Sequence, residues 1–230
     1  MNAVEPALLL ANLALFRELS EEQRAPLASN ARLERVPRGQ ALFRRGDACS
    51  GMHVVVYGRV KLSFVSASGV EKVVDIIDPG ESFGEAVMFL EIPHVVSAQA
   101  LADSMLLFLP KGVVFAQIES DPQFARRMLG GLSRRLHQLV ADVESYSLRS
   151  GTERLIGFML ADCGAGESVD GGNVLELQLP VAKGVIASRL NLTQEHFSRI
   201  LHDLTALGLI EVHGRRIRVL DVERLRSHAK

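Results

Sequence analysis

Ala125, Leu129, Leu132, Leu136, Leu139, Val143 and Tyr146 recur at alternating steps of four and three residues. That rhythm keeps one apolar seam turned toward a partner helix, so the stretch from about Asp121 to Leu148 must be a long helix, and its pattern predicts dimerisation. Asp121-Pro122 supplies an N-cap with proline at the first helical position, and Arg126, Arg127, Arg134, Arg135, Asp142 and Glu144 lie off the seam. The other reading is a long amphipathic helix packed on its own domain, since isolated seams also serve as core faces.

A chain of 230 residues has room for two compact domains around that helix. A net charge of -1 gives no global signal for nucleic acid, so any basic surface must be local. No apolar run approaches the roughly 20 residues that span a bilayer. The opening MNAVEPALLLANLALF lacks a basic leader and carries Glu5 and Pro6, which predicts a buried helical face and a cytoplasmic protein rather than a signal peptide. Cys49 and Cys163 are too far apart for a paired metal or redox motif and too few for an iron–sulfur cluster held by one chain, so both read as structural. The seven histidines are scattered with no HxxxH pair, so no pre-built zinc site is expected.

Before the long helix, a helical opening runs to about Ser29, with Ser20 and Gln23 forming a capping box. Short apolar or alternating runs then follow: 33–36, 41–43, 53–57, 60–65, 72–77, 95–101 and 105–109. Turn chemistry separates them, as at Pro37-Arg38-Gly39, Arg45-Gly46-Asp47, Ser68-Gly69 and Asp78-Pro79-Gly80. This alternation predicts an antiparallel barrel or roll. Such a roll can enclose a small ligand, and Pro79 to Glu85 is where backbone could approach one closely; the same glycines also serve tight turns.

After the long helix come a helical run from Thr152 to Leu160, a polar glycine-rich loop from Asp162 to Gly172, and an alternating strand from Asn173 to Leu179. From Pro180 the chain divides into a helix from about Val181, a sharp turn at Arg189-Leu190-Asn191, and a second helix capped by Thr193. That is a helix-turn-helix. Its second helix displays Gln194, Glu195, Ser198, Arg199 and His202, all able to reach base edges or phosphates from the major groove. Arg199 can donate twice to guanine, and Glu195 can accept from cytosine; His196 also reads as a DNA-side residue. Residues 209–213 and 217–220, around Gly214-Arg215, predict a wing that carries Arg215, Arg216 and Arg218 toward phosphates. Between Pro180 and Arg218 six basic residues, Lys183 and Arg189 among them, stand against three acidic ones. A winged helix used only for protein contacts is the alternative. Enzyme function is not expected, because no nucleophile–base pair, phosphate loop or metal constellation is present.

The order of parts resembles the cyclic AMP receptor protein/fumarate-nitrate reduction regulator (Crp/Fnr) family. The match rests on Gly46, Gly58, Gly69 and Gly80, on Phe83-Gly84-Glu85, and on the run Glu195-His196-Phe197-Ser198-Arg199. The resemblance implies an α+β chain: a β-roll sensor over 1–120, a dimerisation helix over 121–149 and a winged helix-turn-helix over 150–230. It also implies a homodimer bound to double-stranded DNA, with RNA polymerase as a protein partner. The E-x-x-S-R run is similar to the fumarate-nitrate reduction type of reader and implies a TTGAT-like half-site repeated as a palindrome. Gly84-Glu85-Ala86-Val87-Met88-Phe89 with 96–100, Arg135-Leu136-His137-Gln138, and 180–183 leading to 197–200 are most similar to the dissimilative nitrate respiration (Dnr) branch, whose members are haem-dependent nitric oxide sensors.

The effector pocket implied by the resemblance comprises Gly84, Glu85, Val95 and Val96. Cyclic-nucleotide-binding members hold the phosphate there with an Arg-Ser pair; Val95 and Val96 stand at those positions. A buried phosphodiester without its arginine loses a charge-assisted bond of about 1.5–3 kcal/mol, so cyclic AMP is not expected. A cyclic-nucleotide-responsive regulator with a substitute cation is the second reading, and an interaction module that no longer reads DNA the third. Haem follows from the Dnr resemblance. Its candidate ligands are His137, His53 and His94, each of which also reads as an ordinary surface or hydrogen-bonded histidine.

Overall fold

The computed structural model describes residues 5–13, 15–162, 167–169 and 174–228. Two short helices come first, α1 (Pro6–Asn12) and α2 (Glu21–Asn30). Ser20 starts α2 through a complete capping box: its hydroxyl accepts from the Gln23 amide, and the Gln23 side chain accepts from the Ser20 amide.

The strands β1 (Arg32–Val36), β2 (Ala41–Phe43), β3 (Gly51–Tyr57), β4 (Val60–Val65), β5 (Glu71–Ile77) and β6 (Ser82–Phe83) follow, then α3 (Glu85–Leu90), β7 (Ser97–Ala100) and β8 (Ser104–Pro110). They form two antiparallel sheets, ordered β1-β8-β3-β6 and β2-β7-β4-β5. This is the antiparallel roll the turn spacing predicted. The central strands β3 and β8 are buried on both faces, which is why they read as apolar runs rather than alternations. Val55 and Leu106 point into the roll with Phe83, Ile77 and Ala98; Val54, Leu107 and Leu109 face a second core shared with Leu10, Phe16, Leu27 and Val114.

The stretch read as a possible backbone cradle is ordered structure. Ser82 and Phe83 pair with Val54 and His53, and a helix begins at Glu85. Gly84 adopts φ 91°, which L side chains rarely adopt, and a Cβ there would lie 3.4 Å from the Gly51 carbonyl oxygen. The neighbouring backbone therefore accounts for the glycine without a ligand.

The short helix α4 (Lys111–Ser120) leads into α5 (Pro122–Leu148), whose Gln123 amide is capped by the Asp121 carboxylate at 2.9 Å. Phe124 and Met128 are buried in the second roll core. Each contributes about 1.5–3 kcal/mol of apolar burial, enough to fix the first turns of α5 on the roll.

The rest comprises α6 (Gly151–Asp162), β9 (Glu167–Val169), β10 (Val174–Gln178), α7 (Lys183–Arg189), α8 (Gln194–Ala206), β11 (Ile210–His213), β12 (Arg216–Val219) and α9 (Val222–His228). The expected wing hairpin β11–β12 is extended by β10, which pairs with β12 from Leu175↔Val219 to Gln178↔Arg216. Cys163 and the glycine-rich loop, apart from β9, lie outside the described residues, as does Asn173. The chain divides into two compact units, Met1–His137 and Gln138–Lys230. Their border falls inside α5. No helix among the described residues is long and apolar enough to cross a membrane.

Candidate nucleic-acid interface and sensor site

In the C-terminal unit the turn between α7 and α8 is closed by the Asn191 amide donating to the Ser188 carbonyl at 3.1 Å and the Leu192 amide to the Ala187 carbonyl at 2.8 Å. Asn191 takes φ 58°, a left-handed conformation that asparagine tolerates better than most residues. Thr193, expected among the DNA-facing residues, is exposed, but its hydroxyl accepts from the His196 amide at 3.1 Å and so serves as the N-cap. Helix α8 buries Phe197, Ile200, Leu201 and Leu204, and that packing leaves Gln194, Glu195, Ser198, Arg199 and His202 together on the exposed side. The Gln194 side chain lies over the first turn of α7, where a Cβ on Gly184 would be 3.2 Å from its Oε1.

Two basic or polar residues depart from expectation. His196 is half-buried: a Cβ on Gly151 of α6 would lie 3.0 Å from its Cε1, so its ring packs beside the start of α6. Arg189, counted with the local basic surface, is held at 2.7 Å by Asp142 and donates to the Tyr146 hydroxyl at 2.8 Å. On the wing, Arg215 is exposed at the hairpin turn. Arg216 lies 3.6 Å from Glu176 and Arg218 3.7 Å from Glu211. Exposed pairs at that separation are worth at most about 1 kcal/mol, so both arginines can turn to a phosphate at little cost.

Along α5, Leu129, Leu136, Leu139 and Val143 are 62%, 64%, 42% and 63% exposed in the single chain, as is Val140 at 59%; Leu132 is half-buried. An apolar stripe of that length is unusual on a surface that stays in water. Tyr146, read as the last seam residue, turns its hydroxyl to the Arg189 carbonyl oxygen at 2.5 Å.

The sensor-side residues fall into two groups in the N-terminal unit. In the first, Arg135 reaches from α5 to the β6–α3 turn. It donates to Asp75 Oδ2 at 2.7 Å, to the Ser82 carbonyl at 2.8 Å and to Glu85 Oε1 at 3.3 Å. Burial works against its charge, but the hydrogen bond and charge of Asp75, with Glu85 and Glu81, hold its pKa above the ordinary arginine value. Glu81 is pushed up by burial and by the charges of Asp75 and Asp78, against the Asp78 amide and Arg135. Glu85 is buried, and its Oε2 has no hydrogen-bond partner. Val95 and Val96, expected in the pocket with Glu85, both precede β7; Val95 is 53% exposed and Val96 half-buried.

The second group is aromatic. The His94 ring lies on Phe43 with centroids 3.5 Å apart, and His53 stacks on Phe83 at 5.1 Å and tilts against Phe108 at 4.9 Å. Both histidines are buried. His53 Nε2 faces Glu34 at 3.7 Å, while its Nδ1 is buried without a hydrogen-bond partner. Burial, then the charge of His53, lowers the pKa of His94 against the pull of Asp47. His137 is exposed on α5, and the Cys49 thiol is half-buried and donates to the Gly51 carbonyl at 3.3 Å. Among the described residues no group of three or more His, Cys, Asp or Glu side chains could hold a metal ion.

Residues 33–121 match the model of the cyclic nucleotide-binding domain, and residues 153–228 match that of the Crp-like helix-turn-helix domain. The chain belongs to the Crp/Fnr family of transcription regulators. The Crp/Fnr assignment extends over nearly the whole chain. The transcriptional regulatory protein btr of Bordetella pertussis is 31% identical over 84% of this chain and 79% of its own length. The crystal structure of DNR from Pseudomonas aeruginosa is 32% identical, covers 96% of each chain and has a TM-score of 0.50. A CooA mutant from Carboxydothermus hydrogenoformans has a TM-score of 0.78 over all of this chain and 97% of its own; at 19% identity it is a likeness of fold alone. As a Crp/Fnr regulator the protein carries a sensing domain in the roll and binds DNA through the helix-turn-helix. Its relatives are transcription regulators and not enzymes.

The partners Asp75 and Phe43 were not singled out from the sequence. Each acts through a contact across many intervening residues, for which no spacing rule exists. Arg135 and Asp142 carried a signal only as charged residues placed off the seam.

Proposed function

We propose that the protein works as a homodimer joined along α5, that its two α8 helices read a TTGAT-like inverted repeat about one helical turn apart, and that a small signal received in the roll controls the reading. The observation that carries this is the apolar stripe from Leu129 to Val143, which stays exposed in the single chain while α8 presents Glu195, Ser198 and Arg199 outward. Two such helices in successive major grooves sit roughly 34 Å apart, a spacing only a fixed dimer supplies. RNA polymerase is the protein the bound dimer meets on this reading. Arg135 supports the control: it grips Asp75 and Glu85 of the roll from the same helix that bears the seam.

Haem carrying nitric oxide is the signal this reading assigns, following the similarity to the Dnr branch. The donor set fits: His53 holds a buried nitrogen without a partner, and His94 is kept neutral by burial, the form in which an imidazole binds iron. Phe43, Phe83 and Phe108 surround them with the apolar faces a porphyrin needs. His53 and His94 would hold the group, and its iron would supply the affinity for nitric oxide. The exposed His137 does not belong to this cage. The test is an absorption spectrum of haem-reconstituted protein with operator affinity measured with and without nitric oxide. A histidine-ligated band lost in His53→Ala or His94→Ala, together with a change in affinity, is expected; unchanged affinity would sink the haem assignment.

The match of residues 33–121 favours the cyclic-nucleotide reading. Against it, the phosphate positions hold Val95 and Val96, and Arg135 is engaged by carboxylates. Calorimetry with cyclic AMP and cyclic GMP should show no saturable heat; micromolar binding would overturn that exclusion.

A further inference from the structure

We propose that Asp142, Tyr146 and Arg189 form a joint that holds the helix-turn-helix in reading orientation on the last turns of the seam helix, with Arg189 a positioning residue and not a phosphate contact. All three lie in the C-terminal unit, so the joint is internal to it. The proposal rests on the DNA-reading role of that unit.

Arg189 is the last residue of α7, immediately before the turn. The carbonyls of a last helical turn have no partner within the helix. The Tyr146 hydroxyl supplies one, donating to the Arg189 carbonyl at 2.5 Å. The same hydroxyl accepts from Arg189 Nη1 at 2.8 Å, and Arg189 Nη2 meets Asp142 Oδ2 at 2.7 Å. Asp142 and Tyr146 stand one turn apart on one face of α5, so backbone and side chain of Arg189 are gripped together. The Arg189 and Asp142 side chains are each only 16% exposed, which separates this pair from the solvent-exposed pairs of the wing. From Arg189 the chain runs through Leu190, Asn191 and Leu192 to the cap of α8.

A second contact fixes the same turn from the other side. Gly151 opens α6 so close to α8 that a Cβ would lie 2.9 Å from Leu192 Cδ2 and 3.2 Å from Ile200 Cδ1. The guanidinium of Arg154, one turn further along α6, lies 5.8 Å from the Tyr146 ring centre. With α5 and α6 both seated against the turn, a rotation of the seam helix is carried to α8 rather than lost at residues 149–151. Val143, between Asp142 and Tyr146, belongs to the exposed stripe. The joint thus lies within the stretch of helix that the dimer would align.

Asp142→Asn gives the sharpest test, because its two explanations differ in sign. Removing a negative charge near DNA tightens binding if charge alone counts; loosening a joint weakens it. The joint predicts operator binding about tenfold weaker, the loss of one charge-assisted pair. Tyr146→Phe, which keeps the ring and the fold, should act in the same direction. Arg189→Ala should weaken binding while leaving the salt dependence unchanged, whereas loss of a phosphate contact would lower the slope by about one unit. Combining Asp142→Asn with Arg189→Ala should add nothing to Arg189→Ala alone. Without DNA, amide hydrogen exchange across residues 187–192 should quicken in all three variants. Wild-type or tighter binding by Asp142→Asn, a shallower salt slope in Arg189→Ala, or unchanged exchange would overturn the joint. Failure of the wild-type chain to bind the duplex would instead strike at the DNA-reading role, and the exchange rates would then decide the joint alone.

Discussion

Arg199 stands exposed on α8 one residue beyond Ser198, and its planar fork is the group best suited to a guanine edge. Arg199→Ala should weaken operator binding by about 1–3 kcal/mol and relax preference at one base pair, as read by anisotropy against a panel of half-site variants. A uniform loss across the panel would make it a phosphate contact, and no loss would favour a unit that no longer reads DNA. His94 offers a test of the roll. Burial and His53 keep it below the ordinary histidine range, so the unfolded chain takes up a proton before the folded roll does. Stability is therefore full above the unfolded value and falls as the pH drops through it toward the folded value. Glu81, with a raised pKa, works in the opposite sense, favouring the fold as the pH falls. Thermal melts between about pH 7.5 and 5.5, a window around the ordinary histidine value, should show a steeper loss in wild type than in His94→Gln. Equal slopes would mean that His94 titrates alike in both states.

At the scale of the element, α5 carries three features that its sequence announces unequally. The seam was legible because seven residues keep one spacing, and Leu136→Glu, at a site 64% exposed in the single chain, should spare the fold yet give monomers in sedimentation. A dimer that survives would return the stripe to some other partner. Burial of Phe124 and Met128 in the roll was not legible, since both sit off the heptad and the core they join is drawn from α1, α2, β3, β8 and α4. Tyr146 fits the heptad, yet its hydroxyl serves Arg189, because a tyrosine at a helix end can place its ring apolar and its tip polar. The helix-turn-helix read well, with capping, turn and buried face all written within about 20 residues by local rules. The sensor read poorly. Its contacts join His53 to Phe83 and Arg135 to Asp75 over long separations, and the turn glycine Gly84 is explained by its own φ and by Gly51.

Across the whole molecule, family and architecture follow from the order of roll, long helix and winged head, which local patterns carry along the chain. What the roll detects depends on a few side chains brought together by tertiary packing, so the effector does not follow from the same patterns. On the proposed function, two chains joined along α5 read two half-sites as one unit. The decisive measurement is titration of a duplex bearing the TTGAT inverted repeat, beside one in which about 5 base pairs, half a helical turn, separate the half-sites further. Two chains per duplex, with binding lost on the insertion, is the predicted result. Equal affinity for the two duplexes, or for a single half-site, would contradict it.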